Sequence, residues 1–229
     1  MRSQILHSIK SLTHYINPSE IIVFITPPSD PKDIDLIDEL GVELRFREHV
    51  SNSFSAFERN QHYADKWLLT QVESDAVLFL DCDTLIFDNP MQLFSGKSFR
   101  AREGNATIER GAWRKLFDKY SEPYFNWMPN TGVLVFDNGF HHDIAEKWAT
   151  YLNKDLPKVH DNYHKEQLAL TLALAGHNAD QLSPREHVFE WTDIPPSDAV
   201  VYHLDTSQRV GLQKELEIKY RSLKSKFGW

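Results

Sequence analysis

Asp81 and Asp83 are separated by one residue and follow the apolar run Ala76-Val77-Leu78-Phe79-Leu80, which reads as a strand buried on both faces. Carboxylates crowded at the dry end of a strand repel each other and take up a proton unless a cation neutralises them. A hard divalent ion, Mn2+ or Mg2+, is the matching partner. The carboxyl ends of strands are also where open α/β sheets bind ligands. The chain carries its own control in Asp33-Ile34-Asp35, which has the same spacing but sits in the polar run 29–39 with no strand before it. That pair reads as a solvated helix face.

The surrounding pattern alternates helices and strands. Ile5, Leu6, Ile9, Leu12 and Ile16 recur at helical spacing before Asn17-Pro18-Ser19, and Ile21 to Ile25 reads as a strand. An acidic helix from Asp33 to Leu40 ends at Gly41, and a second strand runs from Val42 to Phe46. A helix over residues 60–72 carries Tyr63, Lys66, Trp67 and Leu68; Asn89-Pro90 opens a short helix to Phe94. Residues 96–128 have no simple period and read as an insertion with a helix near Trp113 to Tyr120. Beyond it come a buried strand Val133 to Phe136, a helix Asp143 to Leu152 with Asp143 near its N-cap, an apolar helix Lys165 to Ala175 and a last strand Val200 to Tyr202. The pattern predicts an α/β layered sheet, mostly parallel, with helices on both faces, as a single domain over 1–229 ending in a helical tail at 209–229.

Composition narrows the function. Lys plus Arg 25 against Asp plus Glu 33 gives a net charge of −8, which argues against a general nucleic-acid binder. Cys82 is the only cysteine, so no intrachain disulfide forms, and between two aspartates its thiolate is disfavoured. No apolar run approaches a membrane span, and the first residues lack a signal-peptide core, which predicts a soluble cytoplasmic chain.

Leu80-Asp81-Cys82-Asp83-Thr84-Leu85, then Pro129-Asn130-Thr131-Gly132-Val133-Leu134-Val135-Phe136, then Glu166-Gln167 opening a helix, together resemble a nucleotide-sugar glycosyltransferase of GT-A fold. The order and spacing are most similar to glycosyltransferase family 8, the glycogenin and galactosyltransferase-like group, over roughly Lys66 to His203. The resemblance implies transfer of a hexose from a nucleoside diphosphate sugar, a UDP-sugar, to a hydroxyl acceptor with retention at the sugar carbon. It places Mn2+ (or Mg2+) on Asp81 and Asp83, with Asp81 also on the donor side, and it makes His203, at the end of the apolar strand Val200-Val201-Tyr202, the third metal ligand. An ordinary strand-end histidine is the alternative. Lys66 is placed toward the donor diphosphate, with a solvated helix lysine as its alternative. Asn130, with Thr131 and Gly132, is placed at the donor sugar, where a glycine permits close backbone approach; a turn introducing the next strand is the plainer reading. Glu166 and Gln167 match the family's catalytic acidic-Gln pair, although the family usually has Asp where this chain has Glu. Family members normally begin with a base-binding strand ahead of the first helix, so that strand is expected to be missing or replaced.

Tyr124, Phe125, Trp127 and Met128 lie just before Asn130, and aromatic faces commonly pack on sugars, so Trp127 and Tyr124 are predicted to form an acceptor platform, with Trp113 a weaker candidate. The acceptor is a glycan, a lipid-linked sugar or a protein hydroxyl. The tail Lys219 to Trp229 mixes basic and aromatic residues, so weak contact with an anionic membrane surface is a further expectation, with a plain amphipathic helix as the alternative.

Three other readings compete. Asp81-Cys82-Asp83-Thr84-Leu85 also fits the first motif of haloacid dehalogenase-like phosphatases, in which the first Asp is phosphorylated beside Mg2+. Those enzymes need a later Gly-Asp motif, and the chain has no Gly-Asp dipeptide. His160 and His164 have the spacing of two metal ligands on one helix face but lack the Glu of a zinc protease motif, and solvated histidines are favoured. A catalytically inactive sugar-nucleotide-binding module is the third.

Overall fold

The structure, a computed structural model, describes residues 2–50, 61–104, 110–156, 165–189 and 198–204. They divide into two compact units: Met1–Phe46 with Leu80–Leu93 and Leu182–Trp229, and Arg47–Phe79 with Phe94–Gln181.

In the first unit, α1 (Arg2–Leu12) leads through a 3-10 turn, Pro18–Glu20, to β1 (Ile22–Ile25), then α2 (Pro31–Asp38) and β2 (Glu43–Phe46). Asp30 starts α2 by accepting from Lys32 N at 2.9 Å, with Pro31 in the first helical position. Asp33 and Asp35 do lie on this helix, as the pattern predicts. β1 and β2 pair in parallel, and Ile9, Ile21, Ile25, Ile37 and Val42 form the core beside them. A second sheet has β9 (Val201–His203) between β4 (Thr84–Ile86) and β8 (His187–Phe189), antiparallel to β4 and parallel to β8. Every residue of these three short strands is buried. Ser11 of α1 accepts from Ile86 N at 2.9 Å, which ties the helix to β4.

The second unit is built on a sheet of order β3-β6-β5-β7, comprising β3 (Val77–Leu80), β6 (Pro129–Phe136), β5 (Phe99–Glu103) and β7 (Ala179–Gln181). β5 runs antiparallel to β6, with a register irregularity between Ala101 and Glu103, and parallel to β7. Among the described residues it is accompanied by the α-helices α3 (Arg110–Tyr120), α4 (Phe140–Asp143), α5 (Ala145–Leu152) and α6 (Lys165–Ala173). α6 is buried on all sides from Glu166 to Ala173, which accounts for its lack of a polar face.

The architecture is a layered α/β fold with mixed pairing. Several elements differ from the sequence expectation. The 96–128 stretch is not an insertion at its start, because Phe99–Glu103 is an interior strand of the sheet, with Phe99 and Ala101 buried and Arg100, Arg102 and Glu103 outside that set. The segment Gln61–Gln71 is a 3-10 helix. β3 is buried only at Val77, with Leu78 to Leu80 half-buried, so the aspartates do not follow a fully buried strand. Asp143 ends α4 rather than capping a helix start; the cap is Gly139, at φ 70°. β4, β7 and β8 carry no signal that sequence reading resolved, being three residues each. Among the described residues, no helix is long and apolar enough to cross a membrane.

Candidate functional site

The Asp81-Cys82-Asp83 turn is fastened to the strand it introduces. Thr84 N and Oγ1 both donate to Asp81 O, at 3.2 and 2.8 Å. The β4–β9 register then sets Thr84 opposite His203, and Leu204 N donates to Asp83 O at 2.9 Å. Backbone pairing alone therefore delivers His203 to the aspartates: its Nε2 lies 3.3 Å from Asp83 Oδ1. One donor atom from each of Asp81, Asp83 and His203 falls within 4.8 Å of the others, with the aspartates half-buried and the histidine buried. Two carboxylate oxygens and one imidazole nitrogen make a donor set that fits a divalent cation.

One participant was invisible in the sequence. His187, fully buried in β8, places Nε2 3.1 Å from His203 Nδ1, the two rings lying at 17° to each other. Its only local signal is a histidine beside Val188-Phe189, which any short strand could show.

The second unit holds the other candidates. Lys66, 7% exposed, donates from Nζ to both Thr131 O and Thr131 Oγ1 at 3.1 Å. Thr131 Oγ1 donates in turn to Glu166 Oε1 at 3.1 Å. The ammonium also sits 5.7 Å from the ring centres of Tyr63 and Phe79. Lys66, Thr131 and Glu166 thus form a buried chain, and Lys66 is not a solvated helix lysine. Beside Glu166, burial lowers the pKa of Lys165 from its ordinary range, and Asp155 partly restores it.

Asn130 lies within β6, and its side chain accepts from Gly132 N at 2.9 Å, so the motif curls on itself at the strand's start rather than forming a turn before it. Gly104, which sequence reading passed over, faces this motif: a Cβ placed there would stand 3.5 Å from Gln167 Oε1, Asn130 N and Met128 O alike. The Asn130 backbone and the Gln167 side-chain oxygen therefore both adjoin Gly104.

The aromatic cluster separates into two roles. Tyr124 is 49% exposed, its ring 5.5 Å from the Arg114 guanidinium and edge-on to Phe117. Trp127 is 6% exposed and packed against Phe99 and Phe125, so its ring is a core element and not an open platform face. Trp113 is buried too, donating to Phe125 O at 2.6 Å. His160, His164 and the tail Lys219 to Trp229 lie outside the described residues.

No family model matches the chain, and no curated protein matches it in sequence. Solved structures match in fold. The galactosyltransferase LgtC, solved with donor and acceptor sugar analogues, is similar at a TM-score of 0.61 and 15% identity, covering 99% of this chain and 91% of that one. An active-site mutant of LgtC with glutamine changed to glutamate gives a TM-score of 0.61 at 16% identity over 96% of this chain and 91% of that one. The glycosyltransferase GlyE of Streptococcus pneumoniae TIGR4 gives 0.59 at 18% identity, covering 99% of this chain but 60% of GlyE. The chain has the fold of these glycosyltransferases, which is the GT-A-like fold implied by the resemblance in its motifs.

Proposed function

We propose that this chain is a metal-dependent glycosyltransferase that moves a hexose from a nucleoside diphosphate sugar, a UDP-sugar, to a hydroxyl acceptor with retention. The observation that carries the reading is the convergence of Asp81, Asp83 and His203 within 4.8 Å, in a chain with the fold of sugar transferases. The donor set, two hard oxygens and an imidazole, favours Mn2+ over Mg2+. When bound, the ion supplies Lewis-acid neutralisation of the charge that develops on the departing diphosphate.

The chain's own residues supply the rest. Asp81, Asp83 and His203 hold the ion. Asn130 and Gln167 bind the sugar hydroxyls, and both adjoin Gly104; that LgtC has an active-site glutamine supports this role for Gln167. Lys66, anchored on Thr131, is a fixed positive charge on the donor side, and Glu166 serves through Thr131 instead of reaching the sugar. Tyr124 offers the exposed ring for an acceptor sugar, and the acceptor analogue bound by LgtC favours a glycan hydroxyl. A phosphatase would need Asp81 as nucleophile and leaves the Asn130–Gln167 group without a task.

Thermal-shift screening of nucleotide sugars with and without Mn2+, followed by a transfer assay over an acceptor panel, tests the proposal. Metal-dependent stabilisation by one nucleotide sugar with release of the nucleoside diphosphate supports it. Binding without release across the panel identifies a non-catalytic module, and turnover of an aryl phosphate identifies a phosphatase.

A further inference from the structure

We infer that His187 is a positioning residue for the cation site, fixing which nitrogen of His203 meets the ion. The inference rests on reading Asp81, Asp83 and His203 as that site.

A neutral imidazole has one N–H and one lone pair. For His203 to offer the Nε2 lone pair on the side of Asp83, its proton must sit on Nδ1, and an Nδ1–H in a buried strand needs an acceptor. In most metal sites a carboxylate or a backbone carbonyl takes that part. Here the atom at 3.1 Å is His187 Nε2. His187 accepts through Nε2.

The surroundings fix the geometry. β8 and β9 are parallel, with His187 opposite Val201 and Phe189 opposite His203, so His187 reaches along the sheet to its partner. The Phe189 ring stands edge-on to His187, 4.7 Å between centres, and 6.2 Å from the centre of His203. It walls in both imidazoles. A fully buried histidine beside the Phe189 ring is a costly choice for filling space, since leucine would do so without a polar group. The residue type makes sense if its ring nitrogen is used.

The test measures Mn2+ affinity from free-ion electron paramagnetic resonance, with and without UDP, for wild type, His187→Leu and His187→Gln. The Gln carbonyl can still accept from Nδ1–H; Leu cannot. Expected are a 10- to 100-fold, in round terms about 30-fold, weaker affinity for His187→Leu and affinity within about threefold of wild type for His187→Gln. Histidine 15N spectra of the Mg2+-loaded wild type should show His203 protonated at Nδ1, a readout that stands even if His187→Leu does not fold. Wild-type affinity in His187→Leu, equal weakening in both variants, or an Nε2-protonated His203 in the Mg2+ form overturns the inference while leaving the cation site in place. A wild type that binds no Mn2+ with or without UDP removes the cation site itself, and the inference with it.

Discussion

His203 Nε2 and Asp83 Oδ1 lie 3.3 Å apart although 120 residues separate them, and the contact is set by strand register: Thr84 pairs with His203, and Leu204 N donates to Asp83 O at 2.9 Å. Each side chain adjoins the pair that fixes it, so neither depends on a long loop for its place. Sites carried on strands hold their geometry better than sites on loops.

Thr131 is the joint of the Lys66–Thr131–Glu166 chain, receiving from the lysine and donating to the glutamate. Thr131→Val keeps the shape and removes both hydroxyl bonds, so it should lower stability by about 1.5–3 kcal/mol in urea denaturation, the range for hydrogen bonds to charged groups. Thr131→Ser should recover most of that. Equal stability of all three proteins would show the chain contributes nothing.

Gly104 tests whether Asn130 and Gln167 share a ligand. A methyl there meets its neighbours at 3.5 Å, ordinary contact, so Gly104→Ala should stay near wild type. Gly104→Val pushes branched carbons into the spot and should cut kcat/KM for the nucleotide sugar on the order of a hundredfold, with little change in melting temperature. Unchanged kinetics in Gly104→Val would detach these residues from the donor.

Tyr124 and Trp127, three positions apart in sequence, should behave differently. Tyr124→Ala should raise the acceptor KM by roughly 2- to 10-fold, the worth of one aromatic contact, and leave donor hydrolysis alone. Trp127→Ala should destabilise by about 3–5 kcal/mol, because its ring is 6% exposed between Phe99 and Phe125. A folded Trp127→Ala with only an acceptor defect would restore it to the platform.

How much of this was legible in the sequence depends on how local each signal is. The Asp81/Asp83 pair, the β6 motif and the apolar start of α6 were readable because each is a short pattern with its own chemistry. His203 was reachable through its apolar strand. His187 was not, since its meaning lies in a partner sixteen residues away in a neighbouring strand. β5 hid in plain alternation: Phe99 and Ala101 point inward between Arg100, Arg102 and Glu103, and three charges in five residues read as irregular surface. The 3-10 form of Gln61–Gln71 is not legible because runs of that helix beyond about four residues are uncommon, so an α-helix is the ordinary expectation for a stretch of this length. Trp127 reads as a sugar platform in the sequence because its packing partner Phe99 comes from a strand that the local pattern does not show.

His141 gives the fold an acid-sensitive point. Its ring is fully buried with Nε2 2.9 Å from Val72 O, and burial lowers its pKa; His142 lowers it further, while the Val72 carbonyl, Asp143 and Asp75 oppose the shift. The native state then binds this proton less readily than the unfolded chain, whose histidine titrates near about 6.5. The stability tied to His141 is present in full above that pH and is lost as pH falls toward the lowered native value. Urea midpoints at pH 7.5 and 5.5 should differ less in His141→Gln than in wild type. The same loss in both would place the acid sensitivity elsewhere.

The most direct test of the central claim is Mn2+ binding, measured with UDP present, in wild type and Asp83→Asn. Wild type should bind one ion saturably, with melting raised by roughly 5–10 °C at a hundred times the dissociation constant, and Asp83→Asn should lose both that binding and sugar transfer. Equal Mn2+ binding by the two proteins, or transfer that survives in Asp83→Asn, would contradict the assignment of Asp81, Asp83 and His203 as the ion's holders.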